Sequence, residues 1–329
     1  MIYYLSEDNS DFPLSAVLVA VTFVLAFIGF KCFAKYLPKD HGREFAVNGA
    51  LSQGKPRGAG IILVSVFTLC SALFTKMSLE QVINLVLIYA AMMTGFLDDA
   101  AKVPWGELKK GLLDLGIAAG MAINFVAHNS GEVVLFGKTF EIPSVIYVIL
   151  AIGLIWMSIN VVNCTDGVDG LCGTLSLVSI LLFMQIPALL GSVVDIETVV
   201  DSTVNVRFPS LVMISVLAAY LWFNCSPSLM LMGDAGSRAL GVFIALMAMQ
   251  SRHPFMFIPL VIVMILDGGL GLVKLTVRRV LHSKTFMDGI RTPLHDHARK
   301  LKGWSDTQVV IRFTLLQLVI GLVSLYLFV

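Results

Sequence analysis

Asp98, Asp99, Asp166, Asp169 and Asp234 sit in short, Gly- and Asn-rich motifs whose composition suits metal and phosphate chemistry. The segment Gly95-Phe96-Leu97-Asp98-Asp99-Ala100-Ala101-Lys102 closes one apolar run, and Asn160-Val161-Val162-Asn163-Cys164-Thr165-Asp166-Gly167-Val168-Asp169-Gly170 joins two others. Asn224-Cys225-Ser226-Pro227, followed by Met232-Gly233-Asp234-Ala235-Gly236-Ser237, joins a further pair, and His295-Asp296-His297 adds two imidazoles. Magnesium fits such surroundings: it is a hard ion that accepts one or two carboxylates, keeps several waters and bridges to substrate phosphates. Pro227 interrupts a helix, the glycines allow close backbone approach, and the free N–H groups of a helix start attract phosphate. Asp98 and Asp99 diverge by about 100° on a helix, so they cannot do the same job. Lys102 lies four residues after the first and three after the second, within reach of either, and Lys109 and Lys110 add cations that offset phosphate charge.

The elements that hold these motifs are membrane spans. The 329 residues are 57% hydrophobic and 14% charged, with mean hydropathy +0.87, which places the chain among polytopic helical membrane proteins. Ten apolar segments stand out, at 14–33, 58–75, 81–97, 111–127, 144–161, 171–190, 208–225, 237–250, 254–277 and 308–328. The first follows the acidic stretch Glu7-Asp8-Asn9-Ser10-Asp11 and reads as a span rather than a cleaved leader. With the N-terminus outside, all of the 23 lysines and arginines except Lys76, Lys138, Arg207 and Arg252 fall on one face. The positive-inside rule makes that face cytoplasmic and both termini external. Residues 131–140 read as a short external hairpin and 191–207 as an external acidic loop. The chain shows no repeat and no linker, so residues 1–329 form one domain.

This threading brings every motif to the cytoplasmic face. One Asp at a bilayer centre costs roughly 2.5–3.5 kcal/mol on insertion scales, so five facing lipid would exceed the stability of most proteins. The aspartates therefore line water or protein. Cys32, Cys70, Cys164, Cys172 and Cys225 have no CxxC or framework spacing and read as packing residues. An ion-coupled transporter is the alternative from another class, and Asp267-Gly268-Gly269 has that character. Transporter sites, however, gather near the midplane in matching halves, and the sequence shows neither a repeat nor a midplane cluster.

In this order, GFLDDxxK, NxxNxTDGxDGL, FNxxPxxxxMGDxGS and PxHxHxxxxxGW resemble the polyprenyl-phosphate N-acetylhexosamine-1-phosphate transferases, closest to their muramoyl-pentapeptide branch, over essentially the whole chain. The resemblance implies an all-α bundle of ten transmembrane helices with a broken ninth helix and a cytoplasmic active-site cleft in the bacterial plasma membrane. It implies magnesium held by Asp234, with Asp98 and Asp99 at the phosphates. The uridine-binding positions correspond to Asn163, Asp166 and Asp169, beside Asn160, and the histidine loop to His295 and His297. The implied partners are a UDP-sugar, undecaprenyl phosphate and the lipid bilayer, with no nucleic acid; a homodimer is compatible with the likeness.

The implied reaction transfers phospho-N-acetylmuramoyl-pentapeptide from its UDP carrier to undecaprenyl phosphate, giving lipid I and UMP in peptidoglycan synthesis. A sibling transferase using UDP-N-acetylglucosamine is the alternative within the family. Both direct attack by the lipid phosphate, oriented or deprotonated by Asp98, and a double displacement through an aspartyl-phosphate on Asp98 are open. Three departures bear on recognition. Asp296 replaces the middle residue of a histidine triplet, Leu231 replaces an aromatic expected to stack on uracil, and residues 52–60 read SQGKPRGAG where KxGTPTMGG is usual.

Overall fold

The computed structural model describes residues 11–40, 42, 52–101, 103, 105–190, 196–282 and 285–329. Each of the ten apolar segments falls on helix. These are α1 Asp11–Phe33, α2 Gly60–Phe74, α3 Leu79–Asp99, α4 Glu107–His128, α5 Ser144–Thr165, α6 Leu171–Leu190, α7 Ile196–Asn224 and α8 Gly233–Gln250. A broken segment follows, made of α9 Phe257–Leu260, α10 Ile262–Met264, a π turn over Ile265–Gly269 and α11 Leu270–Val280; then come α12 Leu294–Lys302 and α13 Asp306–Phe328. Among the described residues seven helices are long and apolar enough to cross a bilayer, or eight if the bent pair is one span, and α2 is a shorter apolar helix.

The centre of the bundle is α8. All of its residues except Asp234 are buried, and α2, α3, α5 and α6 pack around it. Its charged first turns lower its hydropathy, yet its environment is protein on every side. Small residues permit the contact: a Cβ on Gly60 or Gly95 would fall on the backbone of residues 234–236, so α2 and α3 touch the start of α8 main chain to main chain. That approach places the ends of three helices, and hence Asp99 and Asp234, side by side.

The expected break lies in the ninth segment, where Pro254–Leu260 and Ile262–Val280 meet at 67°. Val261 leaves helical geometry at φ −128°, ψ 9°, which frees backbone groups that lipid cannot satisfy. Gln317 of α13, fully buried, closes the gap: its Oε1 accepts from the Val263 N–H at 2.9 Å and its Nε2 donates to the Pro259 carbonyl at 3.2 Å. The Ser179 hydroxyl donates to the Leu260 carbonyl at 2.8 Å.

The predicted hairpin is present, as β1 Glu132–Leu135 and β2 Lys138–Glu141, antiparallel with Glu132 opposite Glu141. Phe136 and Gly137, both at positive φ, make the two-residue turn that matches strand twist. The 191–207 loop needs correction. Residues 191–195 lie outside the described residues, but α7 already runs from Ile196. Acidic residues exclude a segment from hydrocarbon without breaking a helix, and nothing between Ile196 and Pro209 forces a stop.

Candidate active site

The segment before α2 is shaped to deliver one arginine. Asp40 N–H donates to the Lys55 carbonyl at 2.9 Å, Leu231 N–H to Pro56 at 2.8 Å, and Ala59 N–H to Leu231 at 3.0 Å. Arg57 is thereby held between two strands of loop, with its guanidinium facing the helix ends. Its Nε lies 2.9 Å from Asp99 Oδ1, Nη1 3.0 Å from Asp40 Oδ1 and Nη2 3.8 Å from Asp234 Oδ1. Burial alone would lower the Arg57 pKa, but Asp99, Asp234 and Asp40 outweigh it and raise the pKa above its ordinary value. Burial likewise opposes ionisation of Asp40, yet hydrogen bonds from Ser52 and Arg57 hold its carboxyl below the usual range.

On the other side stands α4. Lys110 Nζ is 2.6 Å from Asp98 Oδ2 and 3.8 Å from Asp234 Oδ2, while the Trp105 N–H donates to Asp98 Oδ1 at 2.7 Å. One turn further, Asp114 pairs with Arg238 of α8 at 3.0 Å. Asp99 is fixed from α8 as well: the Ala235 N–H donates to its Oδ2 at 3.2 Å, and its carboxylate packs on Gly233, where φ is +72° and a side chain would collide.

Asp234 differs from its neighbours. Asp98 and Asp99 are clamped at 2.6 and 2.9 Å, whereas the cations around Asp234 stand back at 3.5 to 3.8 Å and its side chain keeps 15% exposure. Asp40, Asp98, Asp99, Asp114 and Asp234 share only Arg57, Lys110 and Arg238 among the described residues. No three His, Cys, Asp or Glu among the described residues form a metal cage. A magnesium ion needs none, since one or two carboxylates with water and phosphate suffice, and the loosely held Asp234 in a carboxylate-rich cluster fits that donor set.

Beside the cluster opens a cavity of about 600 Å³, walled by Arg57, Gly233, Leu231, Asn163, Asp166, Asp169 and His295 among others. Arg57 therefore belongs to both the carboxylate cluster and the cavity wall. Asp169 Oδ2 accepts from the Ser228 N–H at 2.9 Å and faces Lys55 at 3.8 Å. Asn224 Oδ1 accepts from the Gly170 N–H at 2.9 Å while its Nδ2 donates to the Met230 carbonyl, tying the α5–α6 turn to the loop before α8. His295 is oriented by the fully buried Asp267, which accepts its N–H at 2.7 Å and meets its Nδ1 at 2.8 Å, and its ring packs on Gly167.

The structure sorts the residues singled out by sequence. Asp98, Asp99, Asp234 and Lys110 come together, and Asn163, Asp166, Asp169 and His295 line the adjoining cavity. Lys109 instead lies over the Trp105 ring, 3.3 Å from its centroid, and the Asn160 amide turns back to the Trp156 carbonyl at 2.7 Å. His297 Nδ1 accepts from the Arg291 N–H at 3.2 Å, outside the cavity wall, while Asp296 is part of it. Lys102 lies outside the described residues. Arg57, Asp40, Asp114 and Arg238 were not singled out; the only signal for Arg57 was its place between Pro56 and Gly58 in a Gly-rich loop, and Asp114 and Arg238 gave none.

Residues 81–252 match the family described as glycosyl transferase family 4. The chain is similar to the phospho-N-acetylmuramoyl-pentapeptide-transferase of Treponema pallidum (strain Nichols), 40% identical over 305 residues that cover 88% of this chain and 83% of that protein. The protein of the same name from Francisella tularensis subsp. novicida (strain U112) is 30% identical over 82% of this chain and 79% of its own length. That from Campylobacter curvus (strain 525.92) is 24% identical over 99% and 98%.

Proposed function

This chain belongs to glycosyl transferase family 4 and to the phospho-N-acetylmuramoyl-pentapeptide-transferases, and we propose from that membership that it moves phospho-N-acetylmuramoyl-pentapeptide from its UDP carrier to undecaprenyl phosphate. The products are lipid I and UMP, and the process served is peptidoglycan synthesis. The single observation that carries the reading to residues is the loosely held Asp234 beside the clamped Asp98 and Asp99, next to a cavity of nucleotide size whose wall includes Arg57, Asn163, Asp166, Asp169 and His295. The whole chain works as one domain crossing the bacterial plasma membrane ten times, with external termini and the site on the basic, cytoplasmic face.

An oxygen of the lipid phosphate attacks the sugar-side phosphorus of the UDP-sugar; a new P–O bond forms, the bond to the UMP phosphate breaks, and UMP leaves. Phosphoryl transfer asks mainly for positioning and for neutralisation of charge. Asp98 orients the attacking phosphate and takes its proton where it carries one. Lys110 and Arg57 offset the charge on the diphosphate from opposite sides. Asn163, Asp166 and Asp169 receive the uridine, and His295, its Nδ1 fixed by Asp267, presents Nε2 to the diphosphate or sugar. Asp234 would hold magnesium, which when bound would supply positive charge to offset that developing on the diphosphate.

The test is direct. Purified protein supplied with undecaprenyl phosphate, magnesium and either UDP-N-acetylmuramoyl-pentapeptide or UDP-N-acetylglucosamine is expected to release UMP and a lipid-linked product only with the first. Turnover of the second alone would move the chain to the sibling activity, and turnover of neither would remove the reading.

Leu231 allows a sharper prediction about the nucleotide. None of the described residues lining the cavity is Phe, Tyr or Trp. A stacked base is worth roughly 1–3 kcal/mol where it has been measured on nucleic acids. Leu231→Phe is expected to lower the KM for the UDP-sugar up to about tenfold with kcat little changed. A raised KM in steady-state kinetics would show that the ring crowds the pocket and that the base lies elsewhere.

A further inference from the structure

The pair Arg238–Asp114 lies one helical turn deeper than the reacting carboxylates, and no step above uses it. Both side chains are buried, at 3% residue exposure each. Removing two charges from water is costly, and a well-packed apolar pair of similar volume commonly serves stability as well or better, so packing does not account for it. The contacts are uneven. Arg238 Nη1 touches Asp114 at 3.0 Å, Nη2 stands 3.5 Å from Asp234, and Nε has no partner. Yet Asp234 is the acid four residues before Arg238 on the same helix, the spacing at which an opposite charge ordinarily closes the contact. Two carboxylates compete for one guanidinium, and the acid from the other helix holds it more closely.

Resting on the reading of Asp234 as the metal carboxylate, we propose that Asp114 is a positioning residue: by holding Arg238 it keeps the guanidinium from closing on Asp234 and leaves that carboxylate open to a divalent cation. A guanidinium and a metal ion compete for the same lone pairs, so an arginine released beside the site acts as a built-in competitor. Two side chains one turn apart on α4 thus set the charges around the site, Lys110 engaging Asp98 and Asp114 engaging Arg238.

The experiment measures Mn²⁺ binding to the purified full chain in detergent by electron paramagnetic resonance, without substrate, in parallel with the Mg²⁺ concentration giving half-maximal turnover. Asp114→Asn is expected to weaken Mn²⁺ binding by roughly tenfold, the scale of one close charge pair in a partly wet site. Asp114→Asn/Arg238→Gln, which removes the competitor as well, is expected to return affinity to within about threefold of the original. A purely structural pair would lower the folded yield but leave the ion affinity of the folded fraction unchanged, and would give no recovery in the double variant. Unchanged affinity in folded Asp114→Asn overturns the proposal, as does failure of the double variant to recover. If Asp114→Asn alone does not fold, the double variant against Arg238→Gln decides, with the proposal overturned should either bind Mn²⁺ worse than the original. Asp234→Ala separates the underlying reading: if it binds Mn²⁺ like the original protein, Asp234 is not the metal carboxylate and both readings fall.

Discussion

Asp234→Ala is expected to abolish turnover while leaving a folded, monodisperse protein. The loss follows from what the residue does and does not touch. Its cations stand 3.5 to 3.8 Å away, so little fixed structure hangs on it, in contrast to Asp99, which anchors Arg57 and accepts from α8. Charge stabilisation by a metal at a transferring phosphoryl group is worth several kcal/mol, so the rate should fall at least about a thousandfold. The residual rate, if measurable, should no longer rise with added magnesium. Activity within about tenfold of the original, in a variant with unchanged melting behaviour, would take Asp234 out of the site.

Asp98→Asn and Asp99→Asn should fail in different ways. Asp98 is bound through Lys110, a cation that also faces Asp234, and through one backbone N–H. As base and orienter of the lipid phosphate it should carry a kcat loss of about 10²–10⁴-fold, with the KM for UDP-sugar nearly constant. Asp99 is nearly fully buried and holds Arg57, so its amide should release that arginine from its place in the cavity wall. The expected signature is a raised KM for UDP-sugar and a higher magnesium requirement, together with a lower melting temperature. Identical kinetic profiles for the two variants would contradict this division. A base-labile, acid-stable phosphoryl adduct on Asp98, trapped from labelled UDP-sugar, would replace direct attack by double displacement.

The sequence made the carboxylates legible because glycine and asparagine around a charge at the end of an apolar run leave few structural explanations. It also located the hairpin, whose Phe136-Gly137 turn is bounded by β-rich segments, and the break in the ninth segment, through the resemblance. It did not reveal which cations answer the carboxylates. Helical spacing put Lys102 near Asp98 and Asp99, and that lysine lies outside the described residues; α3 itself ends at Asp99 with Ala100 as its cap. Among the described residues the lysine that reaches Asp98 is Lys110, on the next helix, and its neighbour Lys109 points to Trp105 instead. Adjacent lysines on a helix face directions about 100° apart, and only packing decides which one faces the site. Arg57 and the Asp114–Arg238 pair join segments far apart in the chain, and no local pattern encodes such partners. The start of α7 was missed for a related reason: polarity marks where a helix leaves hydrocarbon, not where it stops.

The seal at the bend of the ninth segment has a consequence for how the molecule is assembled. Residues 254–280 emerge from the ribosome well before Gln317, yet the amide of Gln317 is what satisfies the Val263 N–H and the Pro259 carbonyl. Until α13 enters the bilayer, those groups lack this partner, and an unsatisfied backbone group in lipid costs several kcal/mol. The segment must wait as a straighter helix, or stay shielded, and take its final bend only when α13 docks. Completion of the bend is therefore tied to the insertion of α13, and a nascent chain stopped before α13 would carry the carboxylates with the ninth segment still unsealed.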